Sequence, residues 1–432
     1  MLNAIKTNKD LRIKLLITLG ILFLAQFITN IPAPGINRDM ISTFLSSDLG
    51  KSMGLLALFS GNSLQNMSMF ILGVSPYITA SIVLQLLRVA FPKFDEWAKD
   101  GKRGEDNYKK LNYFSGAAFS ILNAFPIAYG FSKNGIVLEG YLWLVSLSII
   151  AGSIIFMLLG AAIDKWGIKN GISLILMVNI ISRIPYDLET IFEIHILNRG
   201  VFHIVATVLV ALVVAGILAI LTIYLQDGEK RINTQYSGHV AGNKQSRAND
   251  SYIPIKVNVA GVMPIIFTLN MFQVYTLIVN IIGVSDTSIF KHIAKALTTS
   301  YWFDVQKPYY TLGLLLYILL LIFFQYFYTV IQFDTEQIAE NLKKQGGVVT
   351  GIRPGKPTKE YLDKKLKSIN ITGSICLFFV AIIPIVVSGV TGLHSLSLGG
   401  TSIIIIVGVL IESFKQIESD SLQSTQTSSF IR

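Results

Sequence analysis

The chain has 432 residues, 52% hydrophobic and only 14% charged, with a mean hydropathy of +0.57. One water-soluble core cannot hide that much apolar surface, so a soluble enzyme is excluded and the bilayer is the expected solvent. The formal net charge of +10 would suit a nucleic-acid binder, but the cations cluster in loops between apolar runs, which explains them without nucleic acid.

Taken in chain order, the apolar runs read as ten spans, near 14–31, 67–89, 111–131, 142–163, 171–187, 201–225, 257–282, 309–332, 369–390 and 400–413. Crossing a hydrocarbon layer of about 30 Å takes roughly 20 such residues per helix. The first run follows Lys6, Lys9, Arg12 and Lys14, in the outline of a signal peptide. It ends in Asn30-Ile31-Pro32-Ala33-Pro34 without a small-residue cleavage site, so an uncleaved span is expected.

Between the first two spans, Met53 to Asn66 is too short and too polar at its end to cross. It reads either as a half-helix re-entering from outside, which requires a cavity around it, or as a surface helix of the external loop. Trp143 and Trp166 flank the fourth span, and Tyr309 and Tyr310 open the eighth, as an interfacial aromatic belt would. The fifth span, opening at Asn170-Gly171-Ile172-Ser173, is short. The single cysteine, Cys376, has no partner for a disulfide or a cysteine metal site and is expected to be a buried, inert thiol.

Placing the N-terminus inside puts 28 of the 36 Lys and Arg residues on the cytoplasmic side. Outside remain Arg38, Lys51, Lys133, Arg183, Arg199, Lys291, Lys295 and Lys307. This asymmetry predicts both termini inside and an even number of spans. Ten spans divide as five plus five, 1–187 and 201–417 with a tail at 418–432, and an odd number per half demands that the halves be inverted, with the functional site between them.

The span interiors carry no Asp, Glu, Lys or Arg, which argues against a proton relay, a voltage sensor or an ion-coupled transporter. Uncharged polar residues do occur, notably Gln85 and Asn258; they are either helix-packing partners or a polar seam between helices that must separate. No H-E-x-x-H, G-x-S-x-G or aspartate pair is present, so an intramembrane enzyme finds no nucleophile and base. Gly351-Ile352-Arg353-Pro354-Gly355-Lys356-Pro357-Thr358 superficially suggests a phosphate loop, yet it has three residues between its glycines and a proline after the lysine. It reads instead as the exposed basic tip of a cytoplasmic finger whose helical flanks are Glu336 to Lys344 and Lys359 to Leu366.

Several motifs, in order and over nearly the whole chain, resemble the SecY family. They are Ile31-Pro32-Ala33-Pro34-Gly35-Ile36, Phe59-Ser60-Gly61, Gly73-Val74-Ser75-Pro76-Tyr77-Ile78-Thr79-Ala80-Ser81-Ile82 and Gly167-Ile168-Lys169-Asn170-Gly171-Ile172-Ser173, then Pro254 to Pro264, Gly351 to Gly355 and Gly399-Gly400-Thr401-Ser402. The resemblance implies an all-α channel of ten transmembrane helices in two inverted five-helix halves, with no cofactor or metal. It implies an aliphatic pore ring of Val74, Ile78, Ile172, Leu176, Ile266 and Ile405, with leucine at 176 where the family often has isoleucine. It implies a re-entrant plug around Gly54, Leu55, Leu56, Leu58, Phe59, Ser60 and Gly61.

A lateral gate would open between spans two and three on one side and seven and eight on the other, with Gln85 and Asn258 as its polar contacts. The implied function is passage of unfolded preproteins across the bacterial cytoplasmic membrane and release of hydrophobic segments into membrane lipid. The implied partners are SecE and SecG, with the SecA motor or a ribosome, through its ribosomal RNA, docking on Arg353, Lys356, Lys230 and Arg231. Acids depart from the family pattern at Asp227 and Glu229 in that loop and at Glu105 and Asp106. A secondary transporter built on inverted repeats is the rival reading, and the charge-free span interiors discriminate against it.

Overall fold

A computed structural model describes residues 9–37, 40–41, 44, 53–98, 100–195, 201–236, 240–241, 244–245, 250–282, 288–298, 302, 308–391 and 394–430. Lys6, Arg38, Lys51, Lys99, Arg199, Arg247, Lys307 and Arg432, all used above to orient the chain, lie outside the described residues.

Each of the ten apolar runs falls in a helix: α1 (Lys9–Ile28), α3 (Ser75–Ala90), α5 (Gly101–Lys133), α6 (Leu142–Trp166), α7 (Gly171–His195), α8 (Val201–Asp227), α9 (Met263–Ile282), α11 (Leu312–Gln332), α13 (Lys356–Thr391) and α14 (His394–Phe430). Short helices α2 (Gly54–Ser60), α4 (Pro92–Ala98), α10 (Ile289–Ala296) and α12 (Thr335–Lys344) lie between them. Along the apolar runs the outward faces carry large exposed apolar side chains: Phe23 is 75% exposed on α1, Leu212 68% on α8 and Leu315 62% on α11. Only a hydrocarbon solvent makes such faces stable, so the chain is a polytopic membrane protein.

Three details differ from the hydropathy reading. The second span was expected from residue 67, but 64–74 are turns, and α3 begins at Ser75 with Pro76 in its first turn, where a missing N–H costs nothing. Cys376 is exposed rather than buried, because it shares the outer face of α13 with Ile371, Ile375 and Phe379. The segment 418–432 continues α14 as far as Phe430, and Lys14 bonds Asp420 at 3.0 Å, linking that extension to α1.

Close approach of helices comes from small residues, as membrane packing requires where lipid supplies no hydrophobic drive. Ser120 of α5 and Ser153 of α6 share a hydroxyl–hydroxyl hydrogen bond of 3.0 Å. A Cβ on Gly171 would collide with the carbonyl of Gly160, and the Gly171 N–H donates to Asp164 at 2.7 Å, which fixes the start of α7 against the end of α6.

On the basic side the loop after α8 forms a sheet. Strand β1 (Glu229–Tyr236) pairs antiparallel with β4 (Asp250–Lys256) on one edge and β5 (Gly347–Val349) on the other, with a two-rung ladder of β2 (Val240–Ala241) and β3 (Lys244–Gln245) beyond. Ile232, Ile255, Leu342, Val349, Leu362 and Leu366 form a small separate core under it. The two basic loops are thereby one body, with Asp334 capping α12 by accepting from the Gln337 N–H at 3.0 Å.

Candidate pore and gate

Along α3 and α7 the same sequence of layers appears. The basic ends of α3, α6, α7, α9 and α11 enclose a cavity of about 230 Å³ whose wall includes Tyr77, Ser81, Gln85, Asp164, Asn170, Ser173 and Gln332. Its floor is aliphatic, formed by Ile78, Ile172, Leu176 and Ile266. Val74 and Ile405 are fully buried, and all six ring positions belong to or pack against one apolar cluster drawn from both halves. On α3 the order from the basic end is Gln85, Ser81, Ile78, Val74; on α7 it is Ile172, Leu176, Asn179. At 1.5 Å per residue, the polar-to-apolar change happens within about two turns.

Next along both helices comes α2. It contacts α3, α7, α9 and α14, the four helices that carry the ring. Leu56, Phe59, Ser60 and Gly61 are buried, whereas the side chains of Leu55 and Leu58, with Gly54, lie outside the described side chains. Two amides hold the segment: Asn179 donates to the Phe59 carbonyl at 3.1 Å and Asn62 donates to the Ser182 carbonyl at 3.0 Å. Gly61, at φ +63°, is required there, since a Cβ would lie 2.8 Å from the Asn179 carbonyl oxygen. Gly73, at φ +53°, lets the head of α3 rest on the Phe59 carbonyl, where a Cβ would come within 2.9 Å. The short polar-ended segment is therefore the re-entrant half-helix and not a surface helix.

The two polar residues expected at the gate stand on opposite sides of it. Gln85 bonds Ser81 on its own helix at 3.1 Å and lies beside the buried Tyr328 hydroxyl of α11, with which it lines the cavity. Asn258 donates to the Gly261 carbonyl at 2.7 Å and accepts from Gln325 of α11 at 3.0 Å. It sits before α9 and ties that helix to α11, on the second half's side of the gate. A hydrogen bond across the seam runs from the Thr79 hydroxyl of α3 to Asn270 of α9, at 3.0 Å. Thr79 and Asn179 were readable as polar positions within spans, but nothing in one sequence says which polar residue finds which.

Of the basic candidates, Arg353, Lys356, Lys230 and Arg231 are all exposed. Arg231 is engaged within the sheet, pairing with Glu229 at 2.7 Å and lying 4.7 Å over the Tyr252 ring. Asp227 pairs with Lys415 at 2.8 Å, and that ammonium holds its carboxyl below the ordinary carboxylate value. The two unusual acids of this loop are thus consumed by neighbours in the chain.

A cavity with polar walls, an aliphatic floor and a re-entrant segment packed against the helices that carry that floor are the parts of a membrane channel. A family model described as SecY matches residues 68–414. The chain is 35% identical over 424 residues to the protein translocase subunit SecY of Halalkalibacterium halodurans, covering 96% of this chain and 95% of that one. In fold it is similar to a structure on the plug domain of the SecY protein, which stabilises the closed state of the translocation channel (TM-score 0.64, 18% identity, 95% and 92% covered). It is also similar to Sec61 in the canine ribosome-channel complex (TM-score 0.61, 17% identity, 95% and 92% covered). The chain belongs to the SecY family of protein translocase subunits, a family of channels and not of enzymes.

Proposed function

We propose that this chain forms the conduit of a Sec translocase in a bacterial cytoplasmic membrane, with both termini cytoplasmic, and that Val74, Ile78, Ile172, Leu176, Ile266 and Ile405 are its pore ring. The observation that supports this reading is that Ile78, Ile172, Leu176 and Ile266, from both halves, floor the cavity, while Val74 and Ile405 are buried in the same apolar cluster. A narrow aliphatic constriction holds back hydrated ions by dewetting, while the same side chains move aside to fit around an extended polypeptide. Displacement of α2, the plug, opens the path. Parting of α3 from α9 exposes a passing segment to lipid, where about 20 apolar residues are more stable than in a wet pore.

Nothing in this cycle is chemistry performed by the channel, so energy comes from a partner. Arg353, Lys356 and Lys230, exposed and without ion pairs among the described residues, are the docking cations for a SecA motor or a ribosome; Arg231 is secondary because Glu229 occupies it. SecE bracing the two halves, with SecG beside it, completes the assembly. Co-purification from native membranes tests the assignment. Recovery of a SecE-like small subunit with a motor or ribosomes supports it, and recovery of a monomer that transports a small solute on reconstitution overturns it.

A further inference from the structure

On the outer face of the second half, away from the seam, α11 and α13 diverge around two adjoining hollows. One, of about 290 Å³, lies at the basic side and is walled by charge: Asp334, Glu336, Lys359, Asp363 and Lys367. The other, of about 480 Å³, is almost wholly apolar and continues into the membrane between Ile322 and Tyr326 of α11 and Ile371, Ile375, Phe378 and Phe379 of α13. Tyr326 and Asn370 line both, so the two are one groove. From Lys367 to Phe379 it runs about 18 Å along α13, which matches one leaflet of a hydrocarbon layer about 30 Å thick. Each hollow is near or within the size range of roughly 300–1,000 Å³ typical of ligand sites. The apolar part opens because Ser374 is small beside its large neighbours.

The charges at the mouth discriminate between headgroups. Glu336 pairs with Lys359 at 2.5 Å, Asp363 accepts from the Thr335 hydroxyl at 2.6 Å, and Asp334 caps α12. Lys367 is exposed, with no ion pair among the described residues. A purely anionic headgroup would meet three carboxylates against two ammonium groups. A headgroup with both signs meets Lys367 through its phosphate and Glu336 or Asp363 through its ammonium, both by charge-assisted hydrogen bonds.

We propose that this groove is a phosphatidylethanolamine site, one acyl chain lying along Ile371, Ile375 and Phe379 and the phosphate on Lys367. The test uses the full chain, with its co-purifying subunits, in nanodiscs of phosphatidylcholine containing a trace of phosphatidylethanolamine with a diazirine in its acyl chain. Labelled peptides are mapped by mass spectrometry. The site predicts labelling concentrated on 322–326 and 371–379, competed by unlabelled phosphatidylethanolamine and not by phosphatidylglycerol. Lys367→Glu should reduce it by about tenfold, as for loss of one charge-assisted contact, and Ser374→Phe should abolish it. Both positions are on the outer face, and an unchanged melting temperature shows that the variants fold. Equal labelling of α8 and α13, indifference to both variants, equal competition by phosphatidylglycerol, or a co-purifying protein cross-linked along the same groove would each overturn the proposal.

Discussion

Replacing Asn179 by leucine removes the amide that donates to the Phe59 carbonyl at 3.1 Å while keeping the same branching and number of side-chain heavy atoms. Asn179 is 1% exposed and Phe59 fully buried, so no water replaces the lost donor. A buried carbonyl left unsatisfied costs about 1–3 kcal/mol, and the cost falls on the state in which α2 is seated, because a displaced plug has its Phe59 carbonyl elsewhere. The seated state then loses ground to the displaced state by about 5- to 150-fold. Single-channel recording in planar bilayers reads this as the frequency of openings. Adding Asn62→Ala, which removes the 3.0 Å bond to Ser182, should raise it further. If the Asn179→Leu channel is as silent as the parent while deletion of 54–63 makes it conduct, the amides do not hold the plug and the reasoning fails.

Exchanging Ile78 and Ile266 for glycine opens the floor of the cavity, and the double variant should leak small ions at rest; a tight seal would contradict the ring. Thr79→Val strands the Asn270 carboxamide, whose Nδ2 is already buried without a partner. Cross-linking between cysteines placed on α3 and α9 should fall, and export of a preprotein with a weakened signal should rise, by about tenfold for a loss near 1.4 kcal/mol. Adding Asn270→Leu, which leaves an apolar pair, should restore both. Arg353→Glu should cut motor-driven export with channel abundance unchanged, and Arg231→Glu should do less because Arg231 is already paired; equal effects would count against this ranking.

Most of the membrane architecture was legible in the sequence because hydropathy depends on composition alone: each of the ten runs became a helix. Where a helix starts depends on backbone geometry, so the turns at 67–74, with positive φ at Met67 and Gly73, were read as part of a span. The sheet on the basic side was missed since its strands are rich in charged and polar residues, whereas the usual strand signal is a run rich in β-branched and aromatic ones. Its signal was the alternation of Ile232 and Thr234 inward with Arg231 and Asn233 outward. Asn258 and Gln85 illustrate the limit for the site. Both are polar residues near the seam, but pairing depends on register between distant helices: Asn258 bonds within its own half, Gln85 lies beside Tyr328 of the other, and a further bond joins Thr79 and Asn270.

The central claim is that an unfolded chain passes through the aliphatic waist. A photoreactive amino acid placed in turn at Ile78, Ile266 and Ile405, and at lipid-facing Leu212 as a control, can be irradiated with a preprotein stalled midway. Cross-links from the three ring positions to the stalled chain, and none from Leu212, are the predicted result. Ring positions that label only phospholipid, or neighbouring helices of the same chain, would contradict it.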